Sequence, residues 1–147
     1  MTNQSEDFLD EWATHLTHYA TPTVLKHSLL RPFFENRNLD GPILDIGCGP
    51  GYFSEMLSAR NFAVIGVDAH QDSFPLPQYG ANYLKMHATH LKFQDESFAT
   101  VLLINVITVL KNHADRIQAL AEAKRVKTPN GELYLTQVAT YQATKTA

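Results

Sequence analysis

Ile43-Leu44-Asp45-Ile46-Gly47-Cys48-Gly49-Pro50-Gly51 joins a short apolar run to three glycines set two apart. An apolar run of that length, bounded by turn residues, is the pattern of a buried strand. A helix is expected to follow at once, with Phe53, Met56 and Leu57 on one face. Ala63-Val64-Ile65-Gly66-Val67 then reads as a second buried strand, ending at Asp68. Glycines at such a turn let the chain reverse tightly and let a ligand lie against bare backbone. The helix behind them offers unpaired N–H groups to an anionic group. A carboxylate closing the next strand stands where it can accept hydrogen bonds from both hydroxyls of a ribose.

Working outward, Tyr83-Leu84-Lys85-Met86 is a weaker third strand and Val101-Leu102-Leu103-Ile104 a strong fourth. Asn112 and Asp115 suit the cap and third position of a helix whose core face is Ile117, Leu120, Ala121 and the stem of Lys124. Thr128-Pro129-Asn130-Gly131 ends that helix, and Leu133 to Val138 is the fifth strand. Near-continuous apolar strands alternating with helices predict an α/β fold: a doubly wound, mainly parallel sheet of order 3-2-1-4-5. Upstream, residues 6–19 have helical spacing, and Thr21-Pro22 opens a second helix carrying Val24, Leu25, Leu29 and Leu30, which Pro32 should break or kink. One domain is expected over residues 1–147: a helical segment at 1–37, the core at 38–138 and a tail at 139–147.

The composition agrees with that picture. A chain of 147 residues buries enough surface for a single core. No stretch approaches the roughly 18 apolar residues of a membrane span, and the polar, acidic N-terminus is unlike a secretory signal, so a cytoplasmic protein is expected. One cysteine excludes an internal disulfide and a cysteine-based zinc cage. The net charge of −3 gives no general attraction to nucleic acid or anionic lipid. Residues 1–80 carry four basic and ten acidic side chains, and residues 81–147 carry eight and five. The basic excess gathers at Lys124, Arg125 and Lys127, where it complements a helix dipole. Seven histidines lack the spacing of a metal set, and no metal is expected.

A dinucleotide loop would need glycine where Tyr52 stands, and no triphosphate P-loop is present. Asp45 is a poor neighbour for phosphate and a good one for an ammonium group. The glycine motif, with Val64 to Asp68, Leu91-x-Phe93-x-Asp95-Glu96-Ser97-Phe98, Asn105-Val106-Ile107 and Arg125 to Leu133, resembles the class I S-adenosylmethionine-dependent methyltransferases, especially the branch acting on small molecules. The resemblance covers residues 38 to 138. It implies that Asp45, Gly47, Cys48, Gly49 and Gly51 surround the amino-acid end of S-adenosylmethionine and that Asp68 holds the ribose. By the same resemblance Ala69 and His70 border the adenine, His87 and Ala88 lie at its amino edge, Asn105 lies near the methionine end or the transferring methyl, and Tyr19 closes over the ligand.

His87 stands where the family often has an acid; a neutral imidazole can take its place by accepting the adenine amino hydrogen, and as an ordinary loop histidine it would do nothing. The two prolines in the 70–80 connection shorten the usual crossover helix. No Asn-Pro-Pro-aromatic motif follows the fourth strand, which argues against a nucleic-acid base as acceptor. Methyl transfer needs chiefly alignment, so no catalytic residue is assigned; His113, His90 and Tyr19 are candidates for a general base if one is used. A binding module acting through a partner protein, and a dinucleotide-dependent oxidoreductase, are the competing readings. Only Ala139 to Ala147 follow Val138, so the fifth strand is expected to be a bare edge, open to a homodimer or another partner.

Overall fold

A computed structural model describes residues 23–25, 27–70, 80–104, 106–107 and 109–136. Six strands form one sheet: β1 (Thr23–Leu25), β2 (Ile43–Ile46), β3 (Val64–Val67), β4 (Asn82–Leu84), β5 (Phe98–Leu103) and β6 (Lys127–Thr136). Among the described residues three α-helices accompany them: α1 (Leu30–Asn36), α2 (Tyr52–Ala59) and α3 (His113–Val126). The strand order is β1-β6-β5-β2-β3-β4, with every pairing parallel. Strands β2 to β6 alone run in the order 3-2-1-4-5 that the sequence predicts. Among the described residues, no helix is long and apolar enough to cross a membrane.

Alternation along the strands divides the core in two. Leu44, Ile46, Val101, Leu103, Leu133 and Leu135 turn to one face and pack with Ala119, Leu120, Ala123 and Val126 of α3. Ile43, Leu102, Ile104 and Tyr134 turn to the other, against Leu30 and Phe34 of α1 and Leu57 of α2. Both faces of β2 are therefore covered, which is why its four residues are apolar or buried throughout. The same period places Asp45 on the α2 side, beneath the helix that the glycine loop starts.

Three expectations are corrected. Residues 23–25 are strand rather than helix: Thr23, Val24 and Leu25 pair with Tyr134, Leu135 and Thr136. Pro32 does not break α1, because it sits in the first turn, where its missing N–H has no helical partner to lose. The fifth predicted strand, β6, is not a bare edge, since β1 covers its C-terminal residues, and the homodimer argued from that edge loses its basis. The Thr128-Pro129-Asn130-Gly131 turn lies inside β6 as an irregularity of register opposite Ala99, between the Phe98–Lys127 and Thr100–Glu132 pairs. Lys127 Nζ clasps it by donating to the carbonyls of Thr128 and Gly131 at 3.0 and 3.2 Å. A Cβ on Gly131 would come within 2.6 Å of the Ala99 carbonyl, so only glycine fits there.

Helix α3 begins as its sequence requires, with the Asn112 side chain accepting from the Asp115 N–H at 2.8 Å. Its core face is rotated from the expected one, with Lys124 exposed and Ala119, Ala123 and Val126 buried. Arg125 does more than face a dipole. It reaches Glu122, Asp95 and the carbonyls of Leu91 and Phe93, all at 2.7–3.0 Å. This pairing holds the Glu122 carboxyl below its usual range. Arg125→Met is expected to cost about 2 kcal/mol of stability, because two carbonyls and two carboxylates lose a shared donor. Arg125→Lys should recover only part of that, since one ammonium cannot span all four. Urea unfolding checks both; an unchanged midpoint for the methionine variant would refute the clamp.

Candidate functional site

The backbone from Gly47 to Gly51 turns from β2 into α2 through three left-handed glycines, with φ of 67°, 54° and 87° at Gly47, Gly49 and Gly51. At Gly47 the requirement is doubled, because a Cβ would lie 2.5 Å from Val106 Cγ2. A Cβ at Gly49 would meet nothing within 4 Å, so its outer side faces open space. Cys48 N–H donates to the Val67 carbonyl at 2.9 Å, which stitches the loop to the end of β3. Gly66 lets α2 approach the sheet closely: a Cβ there would stand 2.9 Å from Ser54 Oγ and 3.0 Å from Cys48 Sγ.

Asp68 is joined to this loop. Its Oδ2 accepts from the Gly49 N–H at 2.9 Å and its Oδ1 from the His70 N–H at 2.8 Å. Each oxygen retains a lone pair for a second donor. Asp45 lies behind the loop, 2% exposed, with Ser54 Oγ donating to it at 2.7 Å. Burial raises its pKa to about 6, and the nearby Asp68 adds to that shift while the Ser54 hydrogen bond opposes it. No basic side chain among the described residues makes an ion pair with either aspartate. Burial, with Asp45 and Asp68 beside it, pushes the Cys48 thiol up to about 12. A thiol held protonated is packing, as its sequence context implies, and no nucleophile.

Gly47, Asp68, Ala69, His70, His87 and Ala88 line one cleft of about 180 Å³, together with Met86, Val106, Val109 and Leu110. Six of the residues expected at the site from sequence thus converge on one wall. Asp45 and Cys48 are close behind it, Gly49 touches it through Asp68, and Gly51 caps α2. Tyr19 and Asn105 lie outside the described residues, as do the stretch 6–19 for which the sequence predicts a helix, most of the 70–80 connection and the 139–147 tail. The sequence reading missed the apolar side of the cleft. Val109, 68% exposed beside the cleft, and Leu110 were hidden because no periodicity marks a loop after a strand. Met86 was assigned to the third strand, which ends two residues earlier, at Leu84.

His87 occupies a tight turn. His90 N–H donates to the His87 carbonyl at 3.0 Å, and Thr89 N–H donates to His87 Nδ1 at 3.2 Å. Helix α3 pins this turn from outside: Gln118 Nε2 donates to the Thr89 carbonyl, and Glu122 accepts from the Leu91 N–H. The arrangement is a nucleoside-sized slot with the Asp68 carboxylate at one end, histidines at its side and an apolar lip.

A family model described as "Methyltransferase domain" matches residues 44–135. An uncharacterized protein of Methanocaldococcus jannaschii is 29% identical over 142 residues, covering 90% of this chain and 60% of that one. The tRNA U34 carboxymethyltransferase of Azotobacter vinelandii is 34% identical over 102 residues, covering 63% of this chain and 31% of its own. Among solved structures, a SAM-dependent methyltransferase from Methanosarcina mazei is similar, with a TM-score of 0.61 and 27% identity over 74% of this chain and 56% of that one. The chain thus spans between about a third and three fifths of these relatives.

Proposed function

The chain belongs to the methyltransferase-domain family, and from that membership we propose that it transfers a methyl group from S-adenosylmethionine to a small-molecule acceptor. The observation that carries the reading is the Asp68 carboxylate, fixed by the Gly49 and His70 N–H groups beside an open glycine face. The residues present fit this cofactor. Among the described residues no cationic side chain pairs with Asp45 or Asp68, and the cofactor is a cation with an ammonium group. Gly49 has the room for a ligand to rest on backbone, and Ala69, Met86 and Ala88 form an apolar wall for a base. In this reading Asp68 holds the ribose, Gly47 and Gly49 face the amino-acid end with Asp45 behind them, and His70, His87 and Ala88 border the adenine. Asn105 and Tyr19 are proposed beside the methyl group.

When bound, the cofactor supplies an already activated methyl group. The protein's task is then to hold the acceptor in line and keep water away, and positioning provides most of the acceleration. Val106, Val109 and Leu110 serve that task as the apolar side of the cleft. They favour a compact acceptor with an apolar part over a phosphate-rich one. Two tRNA-modifying relatives favour a second reading, a tRNA acceptor: the Azotobacter enzyme, and a probable tRNA methyltransferase 9B of Homo sapiens.

Calorimetric titration with S-adenosylhomocysteine and with NAD separates a methyltransferase site from an oxidoreductase. Labelled S-adenosylmethionine, incubated with a metabolite extract and with total tRNA, then distinguishes the two acceptors. Label in the small-molecule fraction is the expected result. Label in tRNA alone would establish the second reading, and binding without label in either would leave a cofactor-holding module.

A further inference from the structure

We propose that His87 reads the base of the bound nucleoside as a hydrogen-bond donor, not as an acceptor, so that this position does not select adenine over a 6-oxopurine. The inference rests on the cofactor reading above. It starts from the turn that holds the ring. A backbone N–H can only donate, and the Thr89 N–H points at His87 Nδ1 from 3.2 Å. Nδ1 must therefore carry a lone pair. A neutral imidazole has one ring proton, which this assigns to Nε2.

The neighbouring groups agree. Thr89 Oγ1 lies 2.6 Å from His87 Nδ1 and 3.2 Å from His90 Nδ1. One chain of donors satisfies all three: His90 Nδ1–H gives to the Thr89 hydroxyl, which gives to His87 Nδ1. The reverse orientation would set the His87 Nδ1 proton against the Thr89 N–H. The ring is also fixed before any ligand arrives. Its turn is closed by the His90 N–H and anchored to α3 through Gln118, Glu122 and Arg125.

His87 lines the cleft, and the nitrogen left to a ligand is Nε2–H. A carboxylate here would accept from the 6-amino group of adenine. A fixed donor cannot; it pairs with a ring nitrogen acceptor of adenine, or equally with the 6-oxo group of hypoxanthine. This polarity is the opposite of the acceptor role that is one of the two sequence readings of His87.

Two substitutions keep the turn and separate the polarities. Asparagine and aspartate at a turn both accept the N–H two residues on, as the His87 ring does here. His87→Asn then presents an NH2 donor to the cleft, and His87→Asp presents a carboxylate oxygen. The experiment is calorimetric binding of S-adenosylhomocysteine and of its deaminated analogue, S-inosylhomocysteine, at one fixed pH. Wild type and His87→Asn should bind the two nucleosides within about threefold of each other. His87→Asp should shift the ratio toward adenine by about tenfold or more, the factor expected for leaving a 6-oxo group against a carboxylate. A purely structural role for His87 would change both affinities together and leave their ratio alone. An unchanged ratio in all three proteins, or a wild type that already rejects the inosyl analogue tenfold, overturns the proposal. A wild type that binds neither nucleoside overturns the cofactor reading, and this inference with it.

Discussion

Asp68→Ala is expected to weaken S-adenosylhomocysteine binding by about a hundredfold or more. Two ribose hydroxyls donating to one carboxylate contribute roughly 3 kcal/mol between them once charge assistance is counted. That energy corresponds to about two decades in affinity. The same substitution also unhooks the Gly49 and His70 N–H groups, so the loop keeps only its Cys48–Val67 tie to β3 among these tethers. Asp68→Asn separates these effects. Its amide oxygen still accepts from Gly49, while its NH2 can accept neither from the His70 N–H nor from a hydroxyl, so an intermediate loss of about tenfold is expected. Calorimetry at fixed pH measures all three proteins. Wild-type affinity in Asp68→Ala would remove Asp68 from the ribose.

The legibility of this site follows from how its parts are coded. Ile43 to Gly51 carries its meaning locally: an apolar run, left-handed glycines and a helix start each constrain a few consecutive residues. β2 accordingly spans the four residues read from sequence, and Asp68 stands at the strand end where it was expected. The rest depends on partners distant in the chain. Thr23 to Leu25 is a strand only because Tyr134 to Thr136 offers it a ladder more than a hundred residues later. By local rules alone Thr21-Pro22 opens a helix, and tertiary pairing overrides that preference. The polarity of His87 is of the same kind. The histidine is visible in the sequence, but its tautomer is set by the Thr89 N–H, which depends on the turn that α3 holds in place.

Asp45 gives the second large effect, and it takes opposite signs in stability and in binding. Its carboxyl is raised to about 6 by burial, against an ordinary value near 3.9 in the unfolded chain. The folded state thus holds this proton more tightly than the unfolded state does. Its stabilising share is complete below about pH 4 and is lost as pH rises through 6. At pH 7.5 the ionised, buried Asp45 costs the ligand-free fold roughly 2–3 kcal/mol. Asp45→Asn keeps an oxygen for the Ser54 hydroxyl and removes the charge. It is expected to be about 2 kcal/mol more stable than wild type at pH 7.5, with the difference vanishing near pH 4; urea unfolding at both values checks this. Binding should run the other way. A ligand carrying an ammonium group favours the ionised carboxylate, so wild-type affinity for S-adenosylhomocysteine should fall by up to about tenfold for each pH unit below 6, with a proton released on binding. The variant should bind more weakly at pH 7.5 and show no such slope. A wild type equally tight at pH 5 and 7.5 would detach Asp45 from the cationic end of the ligand. The expected pattern would make Asp45 a charge that the fold tolerates only because a cation is due beside it.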